Sequence, residues 1–173
     1  MFTTEELRSM LDPSVMGSPS RIESLRRQEH KRLRKIAMRT IRAAGVKEWV
    51  FHDDGLHGRA YPKSKKIIVP TPTTPRHLYV VARQCGRIVF HDVTPTYMRD
   101  LQVERYACSV LRNNQLPLPH EELAKSQRQL ARKICLAARR GVKEFDDQLL
   151  IGCRGEIWTE IQELSRQSSA QSQ

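Results

Sequence analysis

Aromatic residues make up only 6% of this 173-residue chain. That scarcity argues against a single-strand platform of stacked bases, which needs several exposed rings along one groove. Long hydrophobic runs are missing too. Nothing approaches the roughly 20 apolar residues that span a bilayer, and the N-terminal MFTTEELRSMLD is too acidic and polar for a signal peptide. The four cysteines, at 85, 108, 135 and 153, form no CxxC pair, and two of them sit inside apolar helical patterns. Buried free thiols in a reducing cytoplasm are the ordinary reading. Cys85, Cys108, His91 and His77 lack the spacing of metal ligands, so no metal or other cofactor is expected. There is no Gly-rich phosphate loop and no GxSxG. The adjacent acids Asp53-Asp54 and Asp146-Asp147 fit turn and helix-end chemistry better than an acid/base pair.

Acidic charge is the remaining shortage. Lys and Arg number 30 against 19 Asp and Glu, a formal net charge of +11. The excess is concentrated: residues 20–44 hold nine Lys/Arg against two Glu, and residues 120–144 hold seven against three acids. Elsewhere the two signs cancel. A basic chain of this kind points to an anionic partner, nucleic acid first.

What is there divides into helices around a small sheet. Residues 4–11 read as a short helix, and DPSVMGSPS (12–20) as a linker. Ser20 then caps a long helix over 21–44, ended by Gly45. Its apolar side carries Ile22, Leu25, Leu33, Ile36, Ala37 and Ala43; Arg26, Arg27, Lys31, Arg34, Lys35 and Arg42 supply its basic surface. A solvated outer face would explain such charge, but an ordinary one mixes signs for i,i+4 pairing, and here acids are nearly absent. A near-heptad spacing over 22, 25, 29, 33, 36 and 40 hints at a coiled coil, although Glu29 and Thr40 interrupt it. Three strands follow at 47–53, 57–62 and 65–70, the first two paired as a hairpin about Asp53-Asp54-Gly55. Helices are predicted at about 76–91, 96–113 and 120–140, and a last one at 155–166 before the tail SSAQSQ. The 96–113 helix turns Leu101, Tyr106, Ala107 and Val110 inward. The 120–140 helix turns Leu123, Leu130, Ala131, Ile134 and Ala138 inward and carries Lys125, Arg128, Arg132, Lys133, Arg139 and Arg140. The expected class is α+β, with a three-stranded sheet packed on helices. The expected organisation is an N-terminal helical arm (1–45), an α+β domain (46–154) and a C-terminal helix and tail (155–173).

The stretch Arg83-Gln84-Cys85-Gly86-Arg87 has the spacing of the HExxH zinc helix, in which two His four residues apart bind the metal and the Glu acts as base. With ARQCGRIVFH (82–91) and DLQVERYA (100–107), the chain resembles the compact zincin metallopeptidase domains of bacterial and phage regulatory proteins, the IrrE type. Gly86, His91, Tyr106 and Ala107 match that pattern, and the resemblance implies a zincin-like fold. The chemistry departs from it. The resemblance puts Arg83 and Arg87 at the ligand positions, Gln84 at the base position and Gln102 at the third-ligand position. A guanidinium offers no lone pair, and an amide abstracts no proton from water. The resemblance therefore implies an inactivated, pseudoenzyme-type domain without metal. The two arginines are either neutralised internally by Glu104, Asp92 or Asp100, or they form an oxyanion site.

The functional expectation is a non-catalytic, cytoplasmic nucleic-acid-binding protein of phage or mobile-element type, duplex DNA favoured, with no membrane partner. The alternatives are a module docking its basic helices on an acidic protein, and an enzyme with relocated chemistry.

Overall fold

The structure, a computed structural model, describes residues 19–142. The helix expected at 4–11, nearly all of the following linker, Asp146-Asp147, Cys153, and the helix and tail expected from 155 onward lie outside the described residues. The elements run α1 (Pro19–Ala43), β1 (Glu48–His52), β2 (Arg59–Tyr61), β3 (Lys66–Pro70), α2 (Pro75–Val89), α3 (Thr96–Asn113) and α4 (His120–Arg139). The α+β class stands. Among the described residues, no helix is long and apolar enough to cross a membrane.

Local chemistry sets these limits. Thr74 caps α2 by accepting from the His77 backbone N–H at 3.2 Å, with Pro75 in the first turn, where its missing donor costs nothing. At the end of α1, Gly45 adopts φ +66, Gly45 N donates to Arg42 O and Val46 N to Ile41 O. This is the paired arrangement of a Schellman stop, with Val46 buried beside it. The same two bonds close α3, but there the left-handed residue is Gln115, at φ +55. At the other end of α1 the helix already includes Pro19, so Ser20 lies inside it and is not its cap.

The sheet corrects the expected strand pairing. Its order is β1-β3-β2, with β1 parallel to β3 and β2 antiparallel to β3. The hairpin is therefore β2–β3, closed by Lys65 at φ +52 with its N–H bonded to Pro62 O. Asp53-Asp54-Gly55 instead opens the long crossover, residues 53–65, that a parallel pair requires. Glu48 pairs in register with Lys66, whose ammonium also bonds its carboxylate. The alternation places Ile67 and Val69 in the core, with Trp49, Phe51 and Ala60 packed against it.

Helix α2 is the centre. Nine of its 15 residues are buried, so it needs neighbours on several sides, and it has them in α1, β2, β3 and α3. A Cβ on Gly86 would lie 3.3 Å from Val103 Cα, which marks how closely α2 and α3 approach. The main core joins Leu33, Ile36, Ala37 and Ile41 of α1 to Leu78, Val81 and Cys85 of α2 and Leu111 of α3. The second half of α1 thus shares one core with the residues after Gly45. Its first half does not: every residue from Arg21 to Arg32 is exposed apart from half-buried Glu29. Ile22 (41% exposed) and Leu25 (57%) face water where the wheel placed them inward, and Ala43 is exposed while Ala44 is buried. The wheel assumes a neighbour along the whole helix, and none is present there among the described residues. A smaller cluster of Leu101, Leu130 and Ile134 fastens α4 to α3.

Candidate functional site

All twelve basic positions assigned to a nucleic-acid surface are exposed: Arg26, Arg27, Lys31, Arg34, Lys35 and Arg42 on α1, and Lys125, Arg128, Arg132, Lys133, Arg139 and Arg140 on or just after α4. Among the described residues, only two of them have an ion-pair partner. Arg27 Nη2 lies 2.5 Å from Glu23, one turn back, and Lys133 binds Asp100. Two other arginines of α1 are committed elsewhere. Arg32 donates to Asn114 O at 2.9 Å, and Arg39 reaches Asn114 Oδ1 at 3.4 Å, tying the helix to the end of α3. Helix α1 packs chiefly on α2, and α4 packs on α3.

Between α2 and α4 lies a cleft of about 740 Å³ that the linear sequence does not display. Arg83 and Arg87 line it from α2, and Lys125 and Arg128 from α4. At one end Arg76 grips Glu122 and Glu121, with Nε 2.8 Å from Glu122 Oε1 and Nη2 3.0 Å from Glu121 Oε2. On the α3 side a second hollow of about 400 Å³ shares Arg83 and Arg87 and adds Asp100, Glu104, Arg112 and Lys133 to its lining.

Glu104 joins the three helices. It accepts from the Tyr79 hydroxyl of α2 and, at 2.5 Å, from Ser126 Oγ of α4, while its Oε2 stands 3.4 Å from Arg83 Nε. That last contact is an ion pair without hydrogen-bond alignment, so the buried Arg83 Nε–H has no hydrogen-bond partner. The Arg83 guanidinium also lies 5.7 Å from the centre of the Tyr79 ring, within cation–π range. Burial, reinforced by Glu104, pushes the Tyr79 phenol well above its usual pKa.

The two arginines therefore have different fates. Arg83 has Glu104. Arg87 has no ion-pair partner among the described residues, since Asp100 is taken by Lys133 and Asp92 by His91. Its one side-chain hydrogen bond among the described residues is a long 3.5 Å contact to Gln84 Oε1. Much of its surface is open, yet protein atoms crowding its guanidinium, and then the Arg83 charge, lower its pKa. Gln84 is buried in α2 beside Gly58, and Gln102 lines neither hollow; Glu104, two residues on, occupies that side. Among the described residues, no three His, Cys, Asp or Glu side chains gather as a metal site requires.

Exposure of the basic residues was legible from amphipathic spacing. The roles of Tyr79, Ser126 and Arg76 carried no sequence signal, because each depends on how helices distant in sequence are rotated against one another. No family model, no curated protein and no solved structure matches this chain.

Proposed function

We propose that this protein is a non-catalytic nucleic-acid-binding protein that grips phosphates with the basic surfaces of α1 and α4. The observation that carries the reading is a set of exposed cations without an ion-pair partner among the described residues: Arg26, Lys31, Arg34, Lys35 and Arg42 on α1, and Lys125, Arg128 and Arg132 on α4. Unpaired like charges on one helix repel one another, and a polyanion relieves that repulsion while releasing its own counterions. No base-reading motif accompanies them, so the contacts are to the backbone, and duplex DNA is the favoured form. The zincin resemblance belongs to the same proposal: an IrrE-type domain of phage or mobile-element kind whose metal and base positions have become Arg83, Gln84, Arg87 and Gln102. Those groups neither bind zinc nor activate water, which leaves binding as the retained activity.

The test is duplex binding titrated with salt. A footprint of about five phosphates predicts a slope of log K against log salt of about −4.5. Reversing Arg27, Lys31, Arg34 and Lys35 to Glu should abolish binding. An affinity indifferent to salt, or one that survives the reversal, refutes the reading.

One observation favours a second reading, docking on an acidic protein: exposed Ile22 and Leu25 interleave with the basic residues of α1. Such a mixed apolar and cationic face suits a partner groove with acidic rims. Nuclease treatment of a pull-down separates the two, since it removes partners held through nucleic acid and spares true protein partners.

A further inference from the structure

We propose that the cleft between α2 and α4 is a phosphomonoester site, in which Arg83 and Arg87 face Lys125 and Arg128 across a space that accepts one phosphate dianion. At about 740 Å³ the cleft falls within the range of small-ligand pockets, large enough for a phosphate and an attached organic group.

The charge balance inside it is uneven. The cleft's own acids, Glu121 and Glu122, are both engaged by Arg76 at one end. Glu104 reaches only Arg83 among the four cations, and its oxygens already accept from Tyr79 and Ser126. Arg87, Lys125 and Arg128 have no ion-pair partner among the described residues, and the nearby Asp100, which favours the Arg87 charge, is itself paired with Lys133. A carboxylate would bring one negative charge to this group of cations, whereas a phosphomonoester brings about −1.5 to −2 and three acceptor oxygens. Two guanidinium forks one helical turn apart suit such an oxyanion, because each can donate two parallel N–H bonds.

The walls are built. Gln84 and Val80 are buried, and Gly58 lets the strand connection lie on them: a Cβ there would stand 2.9 Å from Val80 Cγ1 and 3.0 Å from Gln84 Cγ. Glu104 fixes α2 against α4 by holding Tyr79 and Ser126 together. His57, stacked on His52 with ring centres 4.3 Å apart, gives the outer wall a flat surface for the organic part of the ligand. The desolvation that lowers the Arg87 pKa, together with the Arg83 charge, is a further strain that a bound dianion relieves.

The phosphate has two possible sources, a free mononucleotide or the phosphorylated end of a strand. The experiment is calorimetric titration of the full chain with inorganic phosphate, adenosine 5′-monophosphate, and oligonucleotides with and without a 5′-phosphate, at constant ionic strength in a non-phosphate buffer. Inorganic phosphate should bind where chloride does not. Arg87→Gln should weaken it about tenfold or more, while Lys63→Gln, exposed and outside both the cleft and the basic helices, should leave it within about twofold. Circular dichroism checks that both variants fold, and Lys125→Gln serves as a second cleft variant. A mononucleotide that binds more tightly than inorganic phosphate identifies the free ligand; a preference for the 5′-phosphorylated strand identifies the strand end. Phosphate binding no better than chloride, or equal loss in the Arg87 and Lys63 variants, overturns the site. The fourfold reversal on α1 should remove duplex binding yet leave the phosphate titration intact, so this inference and the proposed function fail separately.

Discussion

Glu104→Ala should be among the most damaging single changes outside the apolar core, and its cost can be worked from what the carboxylate touches. Tyr79 is 1% exposed, and its hydroxyl loses the one side-chain acceptor it has among the described residues. An orphaned buried donor costs about 1–3 kcal/mol. Ser126 Oγ is also buried, but a hydroxyl can rotate toward its own helix carbonyls, so its loss adds about 1 kcal/mol. The Arg83 pair is partly solvated and imperfectly aligned, and contributes under about 1 kcal/mol. The sum is about 3 kcal/mol, which for a chain of this size corresponds to a fall in Tm of about 6–12 °C. Urea unfolding followed by circular dichroism measures it. Tyr79→Phe removes the hydroxyl that Glu104 satisfies, so the double variant should be less destabilised than the sum of the singles by about 1 kcal/mol or more. A Glu104→Ala protein within about 0.5 kcal/mol of the parent, or strict additivity with Tyr79→Phe, would show that the three-helix junction is not formed in solution.

Three other outcomes follow from different parts of the molecule. Burial raises the Cys85 thiol from 9.0 to about 12, burial and the neighbouring Cys85 raise the Tyr106 phenol from 10.0 to about 12, and Tyr79 is raised as well. The folded state keeps protons that the unfolded chain releases, so this stability is complete below pH 9 and lost as pH climbs toward 12; denaturant unfolding across that range should show the decline, shallower above pH 10 in Tyr79→Phe. Leu33→Ala, in the packed half of α1, should cost about 2–5 kcal/mol in the same assay, whereas Leu25→Ala in the exposed half should change stability by less than about 0.5 kcal/mol. Gln115→Gly places the residue with free access to φ +55 at the end of α3 and should stabilise the protein by about 0.5–1 kcal/mol, read as a rise in Tm.

The helices were legible because their signals are local. Thr74-Pro75, the Gly45 stop and the apolar spacing of Val81, Cys85 and Ile88 mark α2 and the end of α1 without reference to the rest of the chain, and the predicted limits of α2, α3 and α4 lie within a residue or two of those observed. Strand pairing was not legible, because Asp53-Asp54-Gly55 and Pro62-Lys63-Ser64-Lys65 both resemble turns. The choice between them rests on Lys65 entering the left-handed region and on β1 finding the free edge of β3. In the cleft, Glu104 was foreseeable as a partner for Arg83, but the diversion of Asp100 to Lys133 was not, since it depends on α4 lying across α3. Arg32 and Arg39 look like their basic neighbours in sequence but reach Asn114, whose position is set by the turn after α3.

The exposed first half of α1 makes the effective length of that helix a property of its ionic surroundings. At 1.5 Å per residue the 25-residue helix is about 37 Å long, and only its second half is held by neighbours among the described residues. The outer turns are extended from that anchored part, so they escape the nucleation penalty, but among the described residues only backbone propagation and two i,i+3 or i,i+4 ion pairs, Glu23–Arg27 and Glu29–Arg32, favour them. Lys31 stands four residues from both Arg27 and Lys35, and these repulsions oppose each added turn. Every anion that settles on this surface shifts the balance toward the rigid rod. The molecule thus carries a lever whose reach lengthens as its charge is neutralised.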